Sequence, residues 1–299
     1  MLKMIWALLA CAPAMFTITY TVVLPLVVLR EFVWALKFCT IVPIDTRDRI
    51  TTKRYDIVMA LFPHVGFLIG ILLVGTGFGL LMLGFQLQPQ ITAILVLLVL
   101  TVVTGGLHVD GLADTADGVL GGSTKERRLE IMRDSRIGAF GAIAIVFDYL
   151  LRYGALTGIM GQDQFMVLTT ASLCLMPTVG RWCQVLGAAL CGSARQEEGV
   201  GKAFIDSVSW PSFVASAILP IALSILLLGI TGIWMLAAAV VGSLVVIFIV
   251  WWRIGGMTGD TLGAVNEVAE IVFLLSFFVF HSLGVQPPIL TFVLRFVHL

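Results

Sequence analysis

Charge is scarce in this sequence. Only 12% of its 299 residues are Asp, Glu, Lys or Arg, 59% are hydrophobic, and the mean hydropathy is +1.05. A water-soluble domain carries about twice that charged share, so an ordinary soluble protein is excluded and lipid must be the solvent for most of the chain. An excess of one sign is missing as well, since 18 basic residues balance 18 acidic ones; the basic surface of a nucleic-acid binder is absent. No two of the five cysteines, Cys11, Cys39, Cys174, Cys183 and Cys191, have the close spacing of a zinc or redox motif, and they read as small buried hydrophobes. The apolar run after Lys3 lacks a convincing small-residue cleavage site, which predicts an uncleaved span rather than a signal sequence.

What is present is a series of long apolar runs: Ile5–Leu29, Leu61–Phe85, Ile91–Thr104, Gly138–Met160, Phe165–Leu190, Pro211–Ile230, Ile233–Trp252 and Val268–Leu283. A helix needs about 20 apolar residues to cross a bilayer core, so the expected fold is an all-α, polytopic transmembrane helical bundle of about 7–8 spans. Phe32–Val42 and Ile289–Val297 are too short to cross and are expected to lie at the interface or re-enter. The polar connections Ile44–Ala60, Leu107–Ile137, Cys191–Trp210 and Arg253–Glu267 hold most of the Lys and Arg, whereas Gln86–Gln90, Gly161–Gln164 and Thr231–Gly232 hold none. The positive-inside rule therefore predicts four polar loops meeting on the cytoplasmic face.

The most informative stretch runs from Gly105 to Gly118. Asp110, Asp114 and Asp117 stand at i, i+4 and i+7, along one stripe of a helix. Three like charges so placed repel one another beside a low-dielectric membrane. Hard oxygen donors of this kind suit Mg²⁺, held by a few carboxylates with waters and substrate phosphates. His108 has two readings, a proton acceptor or phosphate donor and a hydrogen-bonded structural histidine. Downstream, Arg133, Ser135 and Arg136 sit at the membrane surface before Gly138 and Gly141, and arginine's planar fork can grip phosphate oxygens. A second acidic group, Asp260, Asn266, Glu267 and Glu270, enters lipid at the start of the last span, where acids default to function. The two groups are expected to face each other across one cavity. Within the spans, Asp148 and Arg152 at i, i+4 read as a structural pair, and Arg181 pairs either with an acid on another helix or with substrate phosphate.

On these residues the sequence resembles the adenosylcobinamide-GDP ribazoletransferase, or cobalamin (5′-phosphate) synthase, family. The likeness rests on Ala35–Phe38 with Val42-Pro43, Phe62–Gly70, Gly105–Gly118, Met132–Gly138, and Thr258–Ala264 with Asn266 and Glu267. It divides the chain into an N-terminal extension with an extra span at 1–31 and a membrane-embedded transferase domain at 32–299. The resemblance implies that a ribose hydroxyl of α-ribazole, or of its 5′-phosphate, attacks the cobinamide-linked phosphorus of adenosylcobinamide-GDP and displaces GMP, in the inner membrane with the active face cytoplasmic. It implies Mg²⁺ on Asp110, Asp114, Asp117 and Asp260, and catalytic roles for His108, Asp110, Asp114, Asp117 and Glu267. Arg133, Ser135, Arg136, Arg181 and Asn266 would bind substrate. Two other classes carry similar acids. A CDP-alcohol phosphotransferase would show an Ala-Arg pair after Asp-Gly, which is absent here, and an ion-coupled secondary transporter would place its acids near the bilayer midplane.

Overall fold

Each long helix of this chain is apolar along most of its length, and the placement of its few polar side chains decides the architecture. The computed structural model describes residues 24–43, 54–82, 87–161, 165–197 and 199–283. Eleven helices lie among them: α1 (Leu24–Cys39), α2 (Tyr55–Ala60), α3 (Phe62–Met82), α4 (Pro89–Thr104), α5 (Leu107–Gly121), α6 (Lys125–Ile131), α7 (Ala139–Met160), α8 (Phe165–Leu190), α9 (Val200–Ser207), α10 (Trp210–Ile254) and α11 (Gly259–Ser282). Most of the expected first span, and all of Ile289–Val297, fall outside the described residues.

The helices are inside out relative to a soluble protein. On α7, Ile143, Val146, Phe147 and Leu150 point outward while Asp148 and Arg152 are buried. Likewise α10 exposes Ile218, Leu226, Val241 and Phe248 and buries Ser216, Ser224, Thr231 and Ser243. Such a surface is stable only against hydrocarbon, where an outward polar group would go unsatisfied. Five segments are long and apolar enough to cross a membrane: Tyr55–Leu80, Ala139–Met160, Val167–Leu190, Trp210–Ile254 and Gly259–Ser282; α4 and α5 are so only when taken together, as a pair bent by 86°. α8 runs through the middle of the bundle, with Leu173, Leu175, Met176, Val179 and Cys183 all inaccessible.

Two backbone features set the topology. At 45 residues α10 would be about 67 Å long if straight, more than twice the hydrocarbon core. It reverses instead at Gly229, whose φ of 61° and ψ of −138° suit glycine alone. A Cβ on Gly232 would strike the Ser224 carbonyl, although eight residues of straight helix span about 12 Å. The expected hairpin is therefore present, centred two residues before the expected Thr231–Gly232 connection. At the other bend, α4 is only 16 residues long, and consecutive left-handed Gly105 (φ 63°) and Gly106 (φ 69°) swing α5 across its end. One expected boundary is absent: Arg30 and Glu31 do not separate a span from an interfacial segment, because α1 continues through both. Glu31 is buried on the side facing Arg54, 3.8 Å away.

Candidate active site

The polar connections converge on one end of the bundle. Gly192 and Ala194 exchange backbone hydrogen bonds with Met257 (2.9 and 2.8 Å). Arg128 donates to the Arg253 carbonyl at 3.0 Å, Arg133 pairs with Glu197, and Phe204 of α9 packs on Tyr55 with ring centroids 5.0 Å apart. Thr258 and Thr261 form a reciprocal capping box that starts α11, which leaves Asp260 in the first turn, where the helix dipole favours a carboxylate. α5 and α11 then cross at very short range. A Cβ on Gly111 would lie 2.6 Å from the Asp260 carbonyl oxygen, and one on Gly263 would lie 3.0 Å from that of His108. Glycine at both positions lets the backbones touch and brings Asp110 and Asp260 onto one surface.

That surface is a cleft of about 120 Å³ lined by His108, Asp110, Gln184 and Asp260 on its polar side and by Phe38, Met59, Phe62, Leu107, Phe204 and Leu262 on its apolar side. Phe38, Phe62 and Phe204 form an aromatic wall with centroid separations of 4.6 to 5.9 Å. Asp110 is exposed and Asp114 half-buried one turn along the same helix; the charged neighbours of Asp114 are Asp110, Asp260, Asp117 and Arg195. Asp260 accepts hydrogen bonds from Arg195 Nη2 (2.9 Å) and Thr258 Oγ1 (3.3 Å). Among the described residues no three His, Cys, Asp or Glu side chains are drawn together closely enough to enclose an ion by themselves. Asp110 and Asp260 are the carboxylates that line the cleft, with Asp114 one turn beyond Asp110 on α5.

Several expected site residues stand elsewhere. Asp117 does not extend the stripe of cleft acids: it accepts from the backbone N–H of Gly138 (2.7 Å) and Gly141 (2.9 Å), and so caps α7. A Cβ on either glycine would run into that carboxylate, which explains the glycines at the start of the span. Glu267, Asn266 and Arg181 are buried in the bundle rather than set on the cleft wall. Arg152 donates to Asp148 (3.1 Å), Glu270 (2.7 Å) and Glu267, and Arg181 donates to Glu270 (3.0 Å). Asn266 Nδ2 bridges Glu267 and Glu270 at 2.9 Å each and its Oδ1 accepts from Gln184 at 2.9 Å. The Asp148–Arg152 pair is present, and the first of the two readings of Arg181 describes its geometry. Glu267 and Glu270 are thus neutralised by arginines from neighbouring helices, so of the second acidic group only Asp260 shares the cleft with Asp110.

His108 stands between the two regions. It lines the cleft and also a small internal cavity walled by Thr101, Thr104, Tyr149, Arg152, Arg181 and Glu267; its buried Nε2 has no hydrogen-bond partner among the described residues. Outside the cleft, Arg136 is held by Asp134, donating from its backbone N–H, Nε and Nη2 at 3.1, 3.0 and 2.6 Å. Those hydrogen bonds pull the exposed Asp134 carboxyl down to about 2. Ser135 is exposed beside them. Nothing in the sequence marks Arg195 or Gln184 as site residues, because neither belongs to a spaced pattern; both reach their partners on α11 only through the tertiary fold.

A match to the family model described as cobalamin-5-phosphate synthase covers residues 31–278. The chain belongs to this family. Relatives named adenosylcobinamide-GDP ribazoletransferase include one from Clostridium novyi (strain NT), 34% identical over 86% of this chain and 99% of that protein. Another, from Chlorobaculum tepidum, is 35% identical over 83% of this chain and 95% of its own length. A third, from Klebsiella pneumoniae (strain 342), is 35% identical over 83% of this chain and 99% of its own. No solved structure matches the chain. These three relatives are thus covered nearly end to end, and both Asp110 and Asp260 lie inside the region that the family model matches.

Proposed function

We propose that this membrane enzyme transfers the adenosylcobinamide-phosphate group of adenosylcobinamide-GDP to α-ribazole or its 5′-phosphate, releasing GMP. The observation that carries this reading is the cleft itself: Asp110 and Asp260, 150 residues apart in the chain, face one space beside the Phe38, Phe62 and Phe204 rings. Carboxylates on one side and aromatic faces on the other suit a substrate that joins a diphosphate to flat, weakly polar ring systems. The ribose oxygen forms a new bond to the cobinamide-linked phosphorus as the bond from that phosphorus to the GMP oxygen breaks. The hydroxyl proton passes to a group on the polar wall, where Asp110 and His108 stand. In such transfers the protein mainly positions the reactants and neutralises charge.

Mg²⁺ fits the donor set, because it takes one or two carboxylates together with substrate phosphates and waters. Asp110, Asp114 and Asp260 would hold it, and it would supply neutralisation of the diphosphate. The active face is assigned to the cytoplasm and the membrane to the bacterial inner membrane, since Lys125, Arg127, Arg128, Arg133, Arg195, Lys202 and Arg253 all flank the cleft end of the bundle. The test is GMP release by purified protein in liposomes given adenosylcobinamide-GDP, α-ribazole and Mg²⁺. Release that depends on α-ribazole is expected. Release without it would mean hydrolysis, and none at all would refute the assignment.

A further inference from the structure

Arg195 sits at the mouth of the cleft with a role that nothing so far requires. Its Nη2 lies 2.9 Å from Asp260 Oδ2, and both side chains are 27% exposed. Its backbone is pinned: Ala194 and Met257 are hydrogen bonded, Ser193 Oγ accepts from Arg195 N–H at 3.3 Å and donates to its carbonyl at 3.1 Å. The guanidinium is less firmly held, since Nε is buried without a hydrogen-bond partner among the described residues. Acids lie close by: Asp260 is its partner, and Asp114 has Arg195 among its charged neighbours together with Asp110 and Asp260. A pair that is partly open to water is weak enough to exchange.

Resting on the metal reading above, we propose that Arg195 is a tethered cation that neutralises Asp260 in the substrate-free enzyme and moves to a substrate phosphate oxygen when a divalent ion takes its place. The charge count favours the exchange. A dication entering among Asp110, Asp114 and Asp260 competes directly with the guanidinium, and the incoming diphosphate offers the planar Arg195 fork a pair of phosphate oxygens in return. The pinned backbone keeps the fork within side-chain reach of both positions. The competing role is that of a fixed strut joining the 191–197 loop to α11.

Mn²⁺ binding to the substrate-free protein in detergent, followed by electron paramagnetic resonance, separates the two. Arg195→Gln should tighten Mn²⁺ binding by about two- to fivefold, the range expected for losing a partly exposed ion pair, while raising KM for adenosylcobinamide-GDP in the transfer assay. Arg195→Lys should restore the wild-type Mn²⁺ affinity but only part of the KM. Glu197→Gln removes the other tether of the same loop, to Arg133, and should leave Mn²⁺ affinity unchanged. Unchanged or weaker Mn²⁺ binding in Arg195→Gln, with a fall in Tm shared by Glu197→Gln, would overturn the proposal in favour of the strut. Asp260→Asn in both backgrounds tests the metal reading separately. Mn²⁺ binding that ignores Asp260 in both would overturn the metal site and this proposal together, whereas Asp260-dependent binding that ignores Arg195 would overturn this proposal alone.

Discussion

Removing Arg152 should be far more damaging than removing the acid it was first paired with. Its guanidinium contacts Asp148, Glu267 and Glu270, and all four residues are at most 3% exposed, as is Arg181. The cluster holds three carboxylates against two guanidiniums. Arg152→Met fills similar volume but leaves three buried acids facing Arg181 alone. Breaking a buried pair in this way costs about 3–5 kcal/mol, because the partner charge stays behind. Asp148→Asn works in the opposite direction. It relieves the excess of acid and keeps an oxygen to accept from Arg152 Nε, so the loss should stay below about 1.5 kcal/mol, the range of one ordinary hydrogen bond. The assay is reversible unfolding of purified protein in mixed micelles by titrated denaturing detergent, with secondary structure read by circular dichroism. Equal losses for the two variants, or an Arg152→Met protein as stable as wild type, would refute the charge argument.

Asp110 and Asp117 should separate chemistry from structure. Asp117→Ala removes the cap of α7 and is expected to lower stability by about 1–2 kcal/mol, whereas Asp110→Asn should leave unfolding nearly unchanged and cut GMP release about 100-fold or more; paired unfolding and GMP assays compare them. Gly111→Ala should force α5 and α11 apart, lowering both stability and turnover by overpacking of about 1–3 kcal/mol. Gly75→Ala in α3, where a Cβ meets nothing within 4 Å, should be neutral or mildly stabilising, and thermal unfolding of both checks the geometry. Single cysteines at Arg127 and Lys202, in a background lacking the native five, should resist impermeant reagents in intact cells; labelling from outside would reverse the assigned face.

The helical bundle was legible because burial in lipid writes itself into composition: apolar runs of the right length, basic loops and neutral hairpins need no tertiary information. Cys39, Cys174 and Cys183 are buried as expected, whereas Cys191, at the end of α8, is only half-buried; the Asp148–Arg152 pair follows from helical spacing alone. The cleft was legible in part. Spacing placed Asp110, Asp114 and Asp117 on one helix, but it is blind to what lies opposite each of them. The α7 N-terminus sits over Asp117 and takes both its oxygens, a fact fixed by the α5–α7 packing rather than by residues near Asp117 in sequence. The same blindness kept Arg195 out of the site, since its partner Asp260 is 65 residues away.

The interior acids of α11 make sense once the two levels of that helix are separated. Asp260 stands at its first turn, and Asn266, Glu267 and Glu270 follow two and three turns below. Those lower residues are held by Arg152 from α7 and by Arg181 and Gln184 from α8. A helix gripped from two neighbours by directional, charge-assisted hydrogen bonds has little freedom to rotate or slide, whereas apolar packing in lipid would tolerate both. Fixing the rotation of α11 fixes the direction in which Asp260 points, and the Gly111–Gly263 contact then sets its distance from Asp110. On this view the buried network supplies register, which is the best-attested use of buried polar groups. Glu270→Gln therefore tests register specifically: it keeps the volume and one acceptor but weakens the grip of both Arg152 and Arg181. Turnover should fall with the cleft residues untouched, and the Mn²⁺ site should broaden in electron paramagnetic resonance as Asp260 loses its fixed aim. A sharp, unchanged Mn²⁺ spectrum in that variant would show that the network stabilises the bundle without aiming the site.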